Sequence, residues 1–299
     1  MKYFYYPGCS LEGTAAEYDA STRAVMRALE VELLELEDWT CCGASAGEAV
    51  SYLLSMVLPA RNLALAEKTG VAADFLVPCS ACYLNLKKVE DHVGRDEKLQ
   101  ARINEALSVE QLEYRGGLKV RHLLDVIATD IGAERIANRV RDQLAGLKVA
   151  PYYGCQSLRP YAGFDDPQRP VSMEPVIEAL GAAVHPWEMG AKCCGAGLMT
   201  TKQPVALELT GAILDAAKGA DCIVTVCPMC QMNLDSYQKK ISRLRGEDLK
   251  ISVLYLPQLM GLAFGLTETE LKLQLNFAYD PSLQTKLRAA QHAAAMTGR

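Results

Sequence analysis

Eleven of the 299 residues are cysteines, and ten of them form two sets of five in the same order along the chain. Each set consists of a single cysteine, an adjacent pair followed by glycine, and a Cys-x-x-Cys motif. The first set is Cys9, Cys41, Cys42, Cys79 and Cys82, and the second is Cys155, Cys193, Cys194, Cys227 and Cys230. In a reducing compartment, cysteine-rich enzymes generally bind metal or carry out redox chemistry. The two sets therefore predict two sites of that kind.

The number of thiols in a set bears on the metal that it could bind. Structural zinc takes four ligands in a tetrahedral site, so a set of five leaves one thiol unused. Adjacent cysteines must also splay apart to reach one small ion. A polynuclear iron-sulfur cluster accepts soft thiolates and offers several irons, so it accommodates both features. We expect iron-sulfur clusters, and a structural zinc site with a spare buried thiol is the alternative.

The residues around the cysteines repeat as well. Tyr-Tyr-Pro-Gly-Cys at 5–9 corresponds to Tyr-Tyr-Gly-Cys at 152–155, and Cys-Cys-Gly-Ala occurs at both 41–44 and 193–196. A polar helical pattern from Glu134 to Leu144 ends at Gly146, and a new strand begins near Val149. These observations predict an internal duplication, with one domain over residues 1–147, a second over 148–280, and a terminal helix or tail over 281–299.

Strand and helix patterns alternate within each half. The first half has apolar or alternating segments typical of strands, at Lys2–Tyr6, Val31–Leu36, Phe75–Val77 and Leu118–Leu124. Helical patterns follow them, including Glu48–Lys68 and Asp125–Ile131, and Lys250–Leu256 is the fourth strand of the second half. Alternation of this kind predicts an α/β fold in which each half is a small parallel sheet flanked by helices.

This arrangement places the cysteines where strands end and helices begin. The carboxyl ends of parallel strands lie at one edge of a sheet, so cysteines that are distant in sequence converge there. A helix N-terminus also presents unpaired N–H groups and a positive dipole end, which favour the thiolate form and an anionic cofactor. Fold and electrostatics thus predict the same location for each site.

The two cysteine sets resemble the paired CCG domains of the B-subunit family of heterodisulfide reductase, over residues 1 to about 280. The Cys-Pro-x-Cys form of the last motif in that family occurs here at 227–230. The resemblance implies that each set binds a non-cubane [4Fe-4S] cluster, and that the two clusters face one another across the domain interface where a disulfide is split. It also implies two partners, a protein with cubane [4Fe-4S] clusters like the C subunit of heterodisulfide reductase and a flavoprotein like its A subunit.

Two functions follow from these expectations. The first is an iron-sulfur oxidoreductase subunit that cleaves or forms a disulfide, as in heterodisulfide reductase or in the related bacterial proteins of sulfur oxidation. The alternative is an electron-relay or adaptor subunit of a CCG-containing, quinone-linked dehydrogenase, which has no substrate of its own. A zinc-stabilised interaction protein is a third hypothesis, and it requires that iron be absent.

Other side chains near the cysteines are weaker candidates. Lys192 and Arg159 could balance cluster charge or hold an anionic substrate, and His185 could deliver protons to a departing thiolate. Cys222 lies within an apolar strand pattern, and we interpret it as a buried small hydrophobe. The tyrosines that precede the first cysteine of each set are expected to pack beneath the cluster, namely Tyr5, Tyr6, Tyr152 and Tyr153.

Composition and the remaining motifs limit the location and the partners. A net charge of −5 argues against nucleic acid as a partner. The longest apolar run, Leu259–Leu266, is far shorter than the roughly 18 residues of a membrane span. We find no secretory signal, so the cytoplasm is the expected location. The sequence also has no ferredoxin-type cysteine run and no Gly-x-Gly-x-x-Gly motif that follows a strand and opens a helix, so reducing equivalents must come from outside the chain.

Overall fold

In a computed structural model of the chain, residues 1–161, 163–283 and 285–286 are described. Two four-stranded sheets, each entirely parallel, follow one another along the sequence, with strand orders β2-β1-β3-β4 and β6-β5-β7-β8. Their strands are β1 (Lys2–Tyr5), β2 (Glu32–Glu35), β3 (Asp74–Val77), β4 (Val120–His122), β5 (Lys148–Tyr152), β6 (Ala183–Val184), β7 (Cys222–Thr225) and β8 (Ser252–Tyr255). The predicted α/β fold with a parallel sheet in each half is confirmed.

Helices connect the strands and cover the sheets. In the first half they are α1 (Gly8–Glu12), α2 (Ala16–Ala28), α3 (Ala44–Val50), α4 (Tyr52–Lys68), α5 (Ser80–Val93), α6 (Glu97–Leu107), α7 (Leu123–Asp125) and α8 (Gly132–Ala137). In the second half they are α9 (Glu174–Ala179), α10 (Gln203–Ala216), α11 (Pro228–Ser236), α12 (Gln238–Arg245) and α13 (Leu256–Ala263). The strand order reverses direction at β1 and at β5, so a crevice opens between β1 and β3 and between β5 and β7.

Several elements are shorter than their sequence patterns predict. The helix expected over Glu48–Lys68 is interrupted at Ser51, which is extended and caps α4 by accepting a hydrogen bond from the Leu54 amide. β4 stops at His122 and β8 at Tyr255, because the chain turns into α7 and α13 immediately afterwards. The segment Val126–Ile131 is π-helical, and α8 ends at Ala137 rather than continuing to Leu144. Apolar residues continue past the ends of β4 and β8, at Leu123–Leu124 and at Leu256, so periodicity alone does not show where these two strands end.

The two halves pack directly against each other. One hydrophobic core includes buried residues from both halves, and α2 of the first half lies on α13 of the second. The rings of Tyr18 and Tyr255 stack across this contact, with centroids 4.0 Å apart and planes within 5°. Among the described residues, no helix has the length and apolar character needed to cross a membrane. Of the helix or tail expected over 281–299, residues 281–283 and 285–286 are helical, and the rest lies outside the described residues.

Candidate metal centres

The cysteines of both sets lie at the carboxyl edge of their sheets. In the first half, Cys9 is in α1 just after β1, and the Cys41–Cys42 pair precedes α3 in the connection from β2. Cys79 is the N-cap residue of α5, and Cys82 lies in the first turn of that helix. Cys227 and Cys230 have the same positions in α11, whereas Cys155 and the Cys193–Cys194 pair lie in irregular segments. The predicted convergence at strand ends is therefore present, although not every cysteine adjoins an α-helix.

Within each set the sulfurs approach one another. The Sγ atoms of Cys9 and Cys41 are 3.8 Å apart, and those of Cys42 and Cys82 are 3.4 Å apart. In the second set the corresponding distance from Cys194 to Cys230 is 3.7 Å. None of the eleven cysteines forms a disulfide. Each set thus brings together free thiols that are far apart in the sequence.

Both sets line one cavity between the halves. Its volume is about 400 Å³, and its wall includes every cysteine of the two sets except Cys41. The other lining residues that the structure describes are small, apolar or neutral polar groups, apart from Glu48. Nine of the ten set cysteines therefore face a common space whose other lining residues are uncharged except for Glu48.

A glycine precedes the first cysteine of each set for a steric reason. Gly8 and Gly154 have φ of +70° and +73°, a left-handed conformation that favours glycine. A Cβ atom on Gly8 would lie 2.9 Å from the Cys82 sulfur, and one on Gly154 would lie 2.9 Å from the Cys230 sulfur. Both the backbone conformation and the space left for the last cysteine of each set thus require glycine.

A tyrosine anchors the loop that carries the adjacent cysteines. The hydroxyl of Tyr6 donates to the carbonyl of Thr40, and that of Tyr152 donates to the carbonyl of Lys192, at 2.7 and 2.6 Å. Each acceptor is the residue immediately before its Cys-Cys pair. Burial, and then the surrounding thiols of the same set, raise the pKa of both tyrosines. The tyrosines therefore lie against the thiols, and their hydrogen bonds hold the paired-cysteine loop in position.

An asparagine holds the same loop from the other side. The side-chain amide of Asn85 donates to the carbonyls of Cys42 and Ala44 and lies 3.5 Å from the Cys42 sulfur. In the second half, Asn233 donates to the carbonyl of Cys194, at 3.1 Å. Both asparagines lie three residues after the last cysteine of their set. This helical spacing lets the Cys-x-x-Cys helix hold the paired-cysteine loop in place.

The thiols of each set differ in acidity. Hydrogen bonds from Cys41, then Cys82, lower the pKa of Cys42 to about 3, and a hydrogen bond from Cys155 lowers that of Cys193 to about 6. The partners Cys41 and Cys155 have raised pKa values, because each keeps its proton and donates a hydrogen bond to the neighbouring sulfur. In each set, one thiol of a hydrogen-bonded pair is thus more acidic than its partner, and the thiolate is the form that ligates metal.

Both halves of the chain match the same protein-family model. The CCG model, described as a cysteine-rich domain, matches residues 3–87 and again residues 149–235. The chain belongs to the CCG family. The two matches contain the two five-cysteine sets, and one lies in each half of the chain, so the duplication predicted from the cysteine spacing is confirmed.

Relatives of this CCG protein include subunits of reductases. It is 39% identical over 279 residues to the 8-methylmenaquinol:fumarate reductase membrane anchor subunit of Wolinella succinogenes, a match that covers 92% of this chain and 96% of the relative. It is 29% identical to the B subunit of the ferredoxin/F(420)H(2)-dependent CoB-CoM heterodisulfide reductase of Methanosarcina acetivorans, over 91% of this chain and 92% of the relative. The expected relation to the B subunit of heterodisulfide reductase is therefore confirmed.

A solved structure shares the fold. The crystal structure of a hypothetical protein from Helicobacter pylori superimposes with a TM-score of 0.74 over 93% of this chain, at 14% sequence identity. This chain spans about half of that structure, 52% of its length. The likeness establishes that the two-sheet architecture occurs in a protein of distant sequence.

The weaker candidates lie outside the cysteine cavity of this CCG protein. Arg159 and Lys192 line a separate pocket of about 580 Å³, where the Arg159 guanidinium donates to the carbonyls of Pro167 and Ala191. The charge of Arg159 still contributes to the lowered pKa of Cys193. His185 is half-buried after β6, and its backbone amide donates to the carbonyl of Val149. Cys222 is fully buried at the start of β7, at the opposite end of the strand from the cavity.

The residues present fit a polynuclear cofactor better than a single ion. In the described residues, no three ligating side chains are grouped as the ligands of one metal ion. Each set instead spreads its thiols around one wall of the cavity, and a glycine backbone lies against the last of them. Soft thiolate donors in that number match an iron-sulfur cluster.

Proposed function

We propose that this CCG protein is the iron-sulfur subunit of a reductase, and that its ten set cysteines bind two [4Fe-4S] clusters of the non-cubane type, one in each half. Three observations support the proposal. The donors are soft thiols, each set has five of them, and each set has a glycine cradle in which the missing Cβ leaves room for the sulfur of the last cysteine. Bound clusters would supply one-electron transfers at the cavity wall.

We further propose that the cavity is where a disulfide is reduced or formed. The observation that carries this proposal is the single cavity that both cysteine sets line. Reduction consumes two electrons and two protons as the S–S bond breaks, and it releases two thiols; formation is the reverse. Two electron-transferring groups on facing walls match the two-electron requirement. Apart from Glu48, the lining residues other than the cysteines carry no charge, so a substrate there would have few charged side chains beside its reacting sulfurs.

The electrons are proposed to come from other proteins of the same complex. The relatives described above are named as subunits of reductases. We propose a cubane [4Fe-4S] protein like the C subunit of heterodisulfide reductase as the direct partner and a flavoprotein like its A subunit behind it. A cytoplasmic location remains part of this proposal.

A second candidate function is an electron relay without its own substrate. The 39% identity to a fumarate reductase membrane anchor subunit favours it, since this similarity extends over nearly the whole chain. In that function the two clusters pass electrons onward to a quinone-linked partner. In that case the clusters would fill the cavity, and no opening for a substrate would be needed.

A substitution at the cavity mouth distinguishes the two functions. Ser45 lines the cavity from α3 and is exposed, whereas Ala49 is exposed on the same helix and does not line it. Disulfide chemistry predicts that Ser45→Trp abolishes thiol-dependent changes in the paramagnetic resonance spectrum of the anaerobic protein, while Ala49→Trp keeps them. If thiols and disulfides leave the wild-type spectrum unchanged, and electrons still reach a quinone-linked partner, the relay is the correct function.

A further inference from the structure

A second pocket lies outside the cysteine cavity, beside the loop that leads into the Cys193–Cys194 pair. Its volume is about 580 Å³, within the range of roughly 300–1,000 Å³ that small-molecule sites have. The lining residues that the structure describes lie within 151–153, 159–174 and 187–192, so all of them belong to the second half. We call this space the outer pocket.

Arg159 is fixed on one wall of the outer pocket. Its guanidinium donates to the carbonyls of Pro167 and Ala191, at 2.8 and 2.7 Å. These two bonds use two of the five N–H groups of a guanidinium and leave the others for a ligand. Because both acceptors are neutral carbonyls, they orient the group without cancelling its charge.

Two further cations line the same pocket. Lys192 and Arg169 are exposed, as Arg159 is. In the part of the chain that the structure describes, none of the three forms an ion pair with a carboxylate. Lys192 directly follows Ala191, whose carbonyl accepts from Arg159, so these two cations lie close together. Two neighbouring cations without a carboxylate partner favour an anion between them.

Most carboxylates of this region already have partners. Glu174 lines the pocket and accepts a hydrogen bond from the Tyr153 hydroxyl, and burial raises its pKa. Asp165 and Asp166 accept from backbone amides of their own loop and are not among the described lining residues. Glu188 is the other acidic side chain on the described wall, and it is exposed. Its charge favours a singly charged ligand over a dianion.

An apolar surface completes the outer pocket. Trp187, Pro170 and Val171 line it. The indole N–H of Trp187 donates to the carbonyl of Pro151, at 3.1 Å, and the ring packs against Tyr152 with centroids 6.2 Å apart. These contacts hold the indole in place, so its pocket side presents a fixed apolar face to a ligand.

The first half lacks both of the adjacent cations at the equivalent positions. Four residues after the first cysteine of a set, Arg159 corresponds to Gly13. Immediately before the cysteine pair, Lys192 corresponds to Thr40. Because the first half forms the same kind of sheet and gathers its five cysteines without them, neither the fold nor the grouping of thiols requires these cations.

We propose that the outer pocket binds a small organic monocarboxylate, with its carboxylate on Arg159 and Lys192 and its apolar or aromatic part against Trp187. Guanidinium and ammonium groups bind carboxylates through charge-assisted hydrogen bonds, which are the stronger class. A ligand in this position contacts the loop that leads into Cys193 without entering the cysteine cavity. The proposal does not depend on which metal the cysteines bind.

The test is equilibrium dialysis of the full-length protein, as purified, against radiolabelled benzoate at low ionic strength. Benzoate should bind at one molecule per chain, and about tenfold or more tightly than benzyl alcohol, which has the same ring without the charge. Lys192→Gln should weaken benzoate binding about tenfold, the effect of one lost charge-assisted hydrogen bond. Lys202→Gln should bind benzoate like the wild type, because Lys202 is an exposed lysine of the same half that is not among the described lining residues.

The same samples separate this proposal from the proposed function. Equal affinities for benzoate and benzyl alcohol, or unchanged benzoate affinity in Lys192→Gln, would overturn the carboxylate site. Iron is measured in parallel, since benzoate binding by a chain that takes up no iron would contradict the proposed function alone. An iron-loaded chain that does not bind benzoate would contradict the carboxylate site alone.

Discussion

The glycine before the first cysteine of each set gives the sharpest test of the cofactor site. In Gly154→Ala the new Cβ would lie 2.9 Å from the Cys230 sulfur, whereas ordinary contacts need about 3.5 to 4.0 Å. The sulfur or the backbone must therefore move by roughly half an ångström or more. Ligands of a bound metal must keep their distances to within about 0.2 Å, so the variant should lose the second-half cluster.

The same substitution also introduces backbone strain, and this needs a control. An L-residue in the left-handed region costs about 1–2 kcal/mol. Gly146→Ala is matched, because Gly146 has φ of +80° and no described atom lies within 4 Å of the position that its Cβ would take. Both variants should lower the midpoint of thermal unfolding by a few degrees, about 2–4 °C per kcal/mol. The loss of iron should occur in Gly154→Ala alone.

The assay is iron and labile sulfide per chain in anaerobic protein, combined with its paramagnetic resonance spectrum. Gly154→Ala should retain about half of the wild-type iron, with the remaining signal from the first half. Gly8→Ala should give the complementary result, with the loss confined to the first half. The contrary result is full iron and an unchanged spectrum in Gly154→Ala, with the same stability loss as in Gly146→Ala. It would mean that Gly154 is needed only for its backbone conformation, and not for the space that it leaves beside the Cys230 sulfur.

Four further predictions follow from the same geometry. Anaerobic protein should contain about eight irons per chain, with sulfide in similar amount; zinc without sulfide would contradict the iron-sulfur proposal. Cys42→Ala should alter the signal of the first half and Cys194→Ala that of the second, with greater protease sensitivity in the affected half, while the buried Cys222→Ala should do neither. Tyr152→Phe removes a hydrogen bond worth about 1 kcal/mol to the paired-cysteine loop and should speed chelator removal of second-half iron; equal removal rates from both halves would contradict this. The isolated chain should not couple NADH to a disulfide until a cubane iron-sulfur partner is added; rapid turnover by the chain alone would refute its assignment as one component of a larger reductase.

Much of the architecture follows from the sequence because its signals are local and are repeated. The short apolar segments ending at Tyr5 and Val77 each precede a cysteine, and the same arrangement recurs in the second half. Parallel strands place their carboxyl ends at one edge, so convergence of the cysteines could be deduced without coordinates. The glycine and tyrosine that stand one and three residues before Cys9 and Cys155 were also visible as a repeat, although their steric and hydrogen-bonding roles were not.

The residues that connect the halves could not be deduced in this way. His122 appears in the sequence as one polar residue at the end of a strand pattern, and its hydrogen-bond partner, Ser80, is 42 residues away. The hydroxyl of Tyr18 reaches the carbonyls of both Pro78 and Val226, the latter 208 residues along the chain. Contacts of this range depend on how two folded halves pack, and periodicity within one half contains no information about that packing.

The contact between the two halves is itself duplicated. Tyr18 and Phe164 each lie nine residues after the first cysteine of their half, and each stacks on the opposite half's last strand, at Tyr255 and His122. The five cysteines of a set cannot change without loss of a thiol, whereas the residues behind them can change while the stacking is kept. We therefore expect substitutions at this contact to act on the packing of the two halves, and substitutions in the cysteine sets to lower the iron content of the protein.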